Sequence, residues 1–194
     1  MPMRTTMLFG IVLAVAIGAM SIYLATGGLS TNSKTQTQTQ ADSPISALTL
    51  HLVGVHVIKA VPDRQYVAHH YCQQLESDLI QCAVFDSDQP GAKLMDVEYV
   101  VSDEVYRSFS PEEQDYWHPH GYEVDQGLLR APELPPDKEQ EVLSAIRSTR
   151  GKTWHMWPTK EDPYPLHGPD LAWSITQDGQ LQPEIGKELE SAQR

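Results

Sequence analysis

Eight histidines and two cysteines are the residues through which this 194-residue chain could do chemistry. Two stretches hold most of them. Gln65 to Asp86 (QYVAHHYCQQLESDLIQCAVFD) carries His69, His70, Cys72 and Cys82. Trp117 to Glu123 (WHPHGYE) carries His118, His120 and Glu123. Imidazole nitrogens and a carboxylate together suit zinc, iron, manganese or copper. His118, His120 and Glu123, joined by His70 (or by His69 or His56), therefore form a candidate set for a divalent transition metal. The spacing is not His-Glu-x-x-His, and on a strand Glu123 would splay away from His120. The competing reading is that these imidazoles pack and hydrogen-bond among the neighbouring Tyr and Trp residues. Proton transfer by Glu123, Asp125 or His155 is a weaker signal, because any acid-rich chain offers such pairs. There is no Gly-x-Ser-x-Gly, phosphate-cradling glycine loop or dinucleotide fingerprint. The motifs name no reaction.

The first stretch reads as a β-hairpin. Gln65–Gln73 and Leu79–Asp86 are strand-compatible, and Leu75-Glu76-Ser77-Asp78 is a polar break suited to a turn. A turn centred on Ser77 sets Cys72 opposite Cys82 and His70 opposite Val84. Alternation sends His69 and His70 to opposite faces, with His70 and the cysteines on the more apolar one. Cross-strand placement allows a Cys72–Cys82 disulfide if the domain is exported. Two small buried thiols are the alternative. Neither cysteine lies in a Cys-x-x-Cys zinc motif or an evident nucleophile motif.

The elements around these stretches suggest α+β: a mainly antiparallel sheet flanked by a few helices, preceded by an N-terminal membrane or signal helix. Ile45–Val61 places Leu48, Leu52 and Val55 at helical spacing after Ser43-Pro44, so a helix is expected there. The same run is rich in β-branched residues and alternates like a strand from Thr49 to Val57. Lys93–Ser102 alternates as a third strand, and short turns imply an antiparallel meander. Ser110-Pro111-Glu112-Glu113 opens a short helix that Pro119 stops near Trp117. A strand is expected over Tyr122–Leu129, a helix over Asp137–Arg147, and strands over Gly151–Pro158 and Asp170–Thr176. Trp117, Trp154, Trp157 and Trp173 could line a pocket for a lipid or another apolar ligand, or simply fill the core.

The chain has 26 acidic and 14 basic side chains and a formal charge of -12. That balance argues against a nucleic-acid partner or an anionic lipid surface. Residues 1–26 contain Met7 to Ala25, an apolar run after Arg4. It fits a signal peptide, and it is also long enough for a span of roughly 20 residues. A run longer than the roughly 7–15 residues of a signal core favours an uncleaved anchor. The chain would then meet the membrane through this segment, with its domain outside the cytoplasm. Residues 27–44, with their Thr/Gln repeat, read as a disordered linker. The folded domain is expected over 45–182, followed by a charged tail over 183–194 with helical potential.

AHHYC with QC following, VFDSDQPGAKLMDVEYVVS, EEQDYWHPHGYEVDQGLL, and GKTWHMWP followed by LHGPDLAWSIT together resemble the oil body-associated protein family. The resemblance runs from about Val55 to Gly179 and takes in His56, Glu98, Gly151 and Lys152 as well as the histidines above. It implies lipid-body association for plant members, where cysteines sit in a reducing compartment. That weakens a purely structural disulfide as the reason for Cys72 and Cys82. The membrane run and Thr/Gln tether have no part in the family pattern. The sequence thus points first to a non-enzymatic binding or structural protein of the cell envelope with a polar His/Cys/Glu site. The alternatives are a metal-dependent enzyme using His70, His118, His120 and Glu123, or a carrier of an apolar ligand.

Overall fold

The computed structural model describes residues 43–194, so the expectations for the apolar run and most of the linker lie outside the described residues. Among the described residues no helix is long and apolar enough to cross a membrane. The strands are β1 (Leu50–Ile58), β2 (Val61–Glu76), β3 (Leu79–Phe85), β4 (Leu94–Ser102), β5 (His118–Pro119), β6 (Thr149–His155) and β7 (Asp170–Ser174). All their pairings are antiparallel. The order is β4-β3-β2-β1-β7-β6-β5, and a further β4–β6 pairing closes six strands into a barrel. Closure leaves an inside that side chains alone must fill.

The hairpin forms with Cys72 opposite Cys82 and His70 opposite Val84. Its turn is tighter than expected, because β2 continues to Glu76 and only Ser77 and Asp78 bridge the strands. Cys72 and Cys82 are joined as a disulfide. His69 and His70 do point opposite ways. His70 turns inwards, while His69 Nδ1 lies 3.2 Å from His51 Nε2 in a separate cluster capped by Glu133.

Two segments differ from expectation. The run after Ile45 gives only a 3-10 turn at Pro44–Ala47, and the rest is β1 rather than a helix. Every residue of β1 after Leu50 is buried. Its inner face meets the barrel interior. Its outer face (Val53, Val55, Val57) packs with Val67, Ile175 and Leu189. A strand covered on both sides has little need of polar alternation, so its apolar run mimicked a helix. The second difference is at Tyr122–Leu129, where a helical turn, α3 (Gly121–Asp125), replaces the expected strand. Val124 N donates to His120 O, and Gly127 at φ 67° follows as the stop. Positive φ is a glycine conformation at helix ends.

The remaining helices are α1 (Asp103–Arg107), α2 (Pro111–Gln114), α4 (Pro136–Ile146) and α5 (Pro183–Ala192). Ser110 caps α2 by accepting from Glu113 N, as its position suggested. The stretch expected as a charged tail is α5, and its Leu189 is 3 % exposed against the outer valines of β1. Leu189→Ala should therefore lower unfolding stability by about 2–5 kcal/mol. Equilibrium urea unfolding checks this, and a midpoint unchanged from wild type would show that α5 contributes nothing to the domain.

Candidate metal centre

Glu98 stands inside the barrel on β4, 3 % exposed, opposite Cys82 on one neighbour and Thr153 on the other. Four imidazoles surround it. His118 Nε2 and His120 Nε2 each lie 3.6 Å from Oε1. His70 Nε2 lies 3.3 Å and His56 Nε2 3.9 Å from Oε2. The ligand atoms of Glu98, His118 and His120 all fall within 4.8 Å of one another, and so do those of His56, His70 and Glu98. Two donors each about 2.1 Å from one ion at a tetrahedral angle are about 3.4 Å apart. The contacts of 3.3–3.6 Å suit a shared cation.

Local structure places each group. Glu113 in α2 accepts from Trp117 Nε1 and from Lys152 Nζ, which ties the start of the histidine bend to β6. β5 then pairs His118 with Gly151 of β6. Gly151 has to be glycine. A Cβ there would sit 2.6 Å from His120 Nε2 and 2.9 Å from His118 Cε1, and closer still to Glu98 Oε1. The missing side chain is the space in which the three groups meet.

Hydrogen bonds fix which nitrogens are bare. Thr149 Oγ1 donates its one proton to Ile146 O at 2.6 Å, so it must accept from His120 Nδ1 at 2.8 Å. Neutral His120 therefore turns an unprotonated Nε2 towards Glu98. Asp96, two residues before Glu98 on the same face, accepts from His56 Nδ1 at 2.6 Å, from His155 Nδ1 at 2.5 Å, and from the Tyr66 hydroxyl. In the neutral tautomer this leaves His56 Nε2 to accept from His70 Nε2 at 3.0 Å. Both ring nitrogens of His118 and the Glu98 Oε1 atom are buried without a hydrogen-bond partner. A neutral His118 has one N–H and one lone pair, so a buried donor and at least one buried acceptor go unmatched here, which costs free energy unless something positive lies between the acceptors. A proton on one imidazole would relieve one contact; a divalent ion would relieve several together.

The electrostatics call for positive charge around Glu98, from a protonated imidazole or from a cation: burial lowers His70, but the Glu98 carboxylate beside it outweighs this and raises it. Burial pushes Glu98 up, but His120, His70 and His56 outweigh it and hold the carboxyl well below the usual carboxylate range. Asp96 is likewise held down against burial by His56 and His155. Burial, with His120 beside it, keeps His118 well below the ordinary imidazole value, which favours its neutral, lone-pair-donating form. Burial pushes the Tyr66 hydroxyl well up, with Asp96 adding to the effect.

The sequence-derived set is thus gathered in part. His70, His118 and His120 converge, but Glu123 is not a member of either group. Its carboxyl is buried beside Gly54 of β1, on a helical turn and not on the strand expected. The carboxylate at the centre is Glu98. Sequence reasoning missed Glu98, Asp96 and Gly151 as site residues. A signal was present in LMDVEYVVS, where Asp96, Glu98 and Val100 share one face of a strand. Two acids on the face of a central strand need partners, and the chain's histidines are the partners available.

A family model described as "Protein of unknown function (DUF1264)" matches residues 42–194. The chain belongs to the oil body-associated protein family. It is 36% identical over 147 residues to Oil body-associated protein 1A of Zea mays, covering 75% of this chain and 62% of that protein. It is 38% identical over 136 residues to Oil body-associated protein 2A of Arabidopsis thaliana, covering 70% and 55%. The chain spans little more than half to three-fifths of these relatives' length. No solved structure matches it.

Glu123 supplies a test of the interior's polarity. Burial, and then the charge of Glu98, push its carboxyl well above the ordinary value. Below the unfolded-state value of about 4.3 both folded and unfolded chains hold the proton. As pH rises past that point the unfolded chain ionises and the folded one does not, so Glu123 costs increasing stability until its folded value is passed. Glu123→Gln removes this cost. The stability difference between variant and wild type should therefore move in the variant's favour between about pH 4 and about pH 7. Denaturant unfolding across that range measures it, and a difference constant with pH would show that Glu123 is ionised in the fold.

Proposed function

We propose that this domain binds a divalent transition metal inside its barrel, with Glu98, His118 and His120 as ligands and His70 placed to join them. The observation that carries this reading is the set of buried, bare acceptor atoms aimed at the space above Gly151. Two imidazoles and a carboxylate suit iron, zinc or manganese. Thr149 acts through His120 by fixing its tautomer, the usual role of a hydrogen bond behind a metal-bound histidine. The role is a binding one, as in the first reading of the sequence, at a metal set that belonged to its rival, with Glu98 in place of Glu123. For the whole chain we propose attachment to a lipid surface. Two things support it: the apolar run Met7–Ala25, and relatives named for association with oil bodies. A barrel held outside the cytoplasm by that run would also suit the Cys72–Cys82 disulfide.

Metal analysis of the purified full chain should find a stoichiometric transition metal. Glu98→Gln and His118→Ala should each release it while the far-ultraviolet circular dichroism spectrum is kept. Thr149→Val should weaken binding by about 10–100-fold. Wild-type protein that retains no zinc, iron or manganese after incubation, and whose melting temperature none of them raises, would refute the centre.

A further inference from the structure

A cavity of about 30 Å³ lies against the centre, and three of its walls are the ligand candidates His70, Glu98 and His120. The rest of its lining is apolar, Leu52, Ile80, Val100, Leu129 and Ile146 among it, with the Cys72–Cys82 disulfide closing one side. We infer that this cavity is the binding place of a small uncharged diatomic molecule of the dioxygen class, taken up directly by the metal. The inference rests on the metal-binding reading above and adds to it the class of ligand.

Three physical points lead there. Glu98, His118 and His120 supply three ligand atoms, and a two-histidine, one-carboxylate set on iron leaves coordination positions open. A void needs about 10–15 Å³ of this measure to hold a single water, so about 30 Å³ admits a diatomic and no organic substrate. Water is the obvious competitor, but it needs two to four polar partners to be stable in a buried site. Beyond the ion this cavity's lining holds three polar side chains, of which Glu98 and His120 are engaged by the metal, so water would find His70 and little else among leucine, isoleucine and valine. An apolar diatomic loses nothing in such surroundings. Steric selection is therefore built from the core residues, while the metal supplies the attraction.

The test uses the full chain loaded anaerobically with ferrous ion, and nitric oxide as the probe standing in for dioxygen. Iron content is measured first, beside zinc and manganese. Nitric oxide should then give the half-integer-spin electron paramagnetic resonance signal of a ferrous nitrosyl. Leu52→Phe fills the cavity, and Val100→Ile does so more gently should the first variant fail to fold. Either should keep its iron and lose most of the nitrosyl signal. Bound iron with no nitrosyl signal in the wild type overturns the inference and leaves the metal-binding reading intact. So does a signal undiminished in a folded, iron-loaded cavity variant. A chain that takes zinc but rejects iron also overturns it, whereas one that takes no metal defeats both.

Discussion

An ionised carboxylate cannot be buried alone in an apolar barrel, and Glu98 is both ionised and buried. Its solvation in water has to be replaced from within. The chain does this with imidazoles from three separate places, His56 of β1, His70 of β2, and the His118–His120 bend. Asp96 poses the same problem one step along β4 and is answered by His56, His155 and Tyr66. His56 belongs to both sets, so the two carboxylates are coupled through one ring. Much of the polar interior is in this sense a response to two acids on one strand.

Barrel closure makes that response feasible. In an open sheet β4 and β6 would be distant edges, and Glu98 would face water. Their pairing brings Gly151 beside Val100 and lets β5 insert His118 on the opposite side of the same glycine. The Ser174 hydroxyl donates to Pro119 O and holds that insertion from β7. The disulfide lies one position from His70 on the inward face, and its Cys82 is directly opposite Glu98 in the ladder. Covalent closure of the β2–β3 pair thus stiffens the wall from which His70 projects. Side chains on paired, closed strands are poor at relaxing away from one another. This is why unmatched acceptor atoms there are informative and not merely a local flaw.

The sequence made some of this legible. The hairpin could be read because its alternation and its turn agreed, and agreement between levels is what specifies register. The short helix at Ser110 was legible from its cap, and the family from motifs in series. β1 was not, because burial on both faces erases the period of two that distinguishes a strand. α3 was not, because Tyr122 and Val124 alternate across a segment too short for a helical period to show. Glu123 was the natural carboxylate because it lies within six residues of His118 and His120 in the sequence, even though a strand would splay it away, while Glu98, twenty residues upstream of the bend, had no local reason to be chosen. Only the β4–β6 closure brings Glu98 to His118 and His120, and nothing in either strand's own pattern announces that pairing.

Glu98 and Glu123 show how environment, and not residue type, assigns the role. Both are fully enclosed, and burial pushes both carboxyls upwards. Glu98 is surrounded by imidazoles and is driven down to a permanent charge. Glu123 has Gly54 and Leu129 at its side and feels the negative charge of Glu98, so its carboxyl is pushed towards the protonated form. Each choice supports the other: an ionised Glu98 raises the cost of ionising Glu123, and a neutral Glu123 spares Glu98 a second repulsion. The histidines follow the same logic. His118, pressed by burial and by His120, keeps a lone pair, and Thr149 and Asp96 aim those of His120 and His56 in their neutral tautomers. A buried negative charge ringed by imidazole nitrogens calls for positive charge among them, and a divalent cation supplies it to several rings at once.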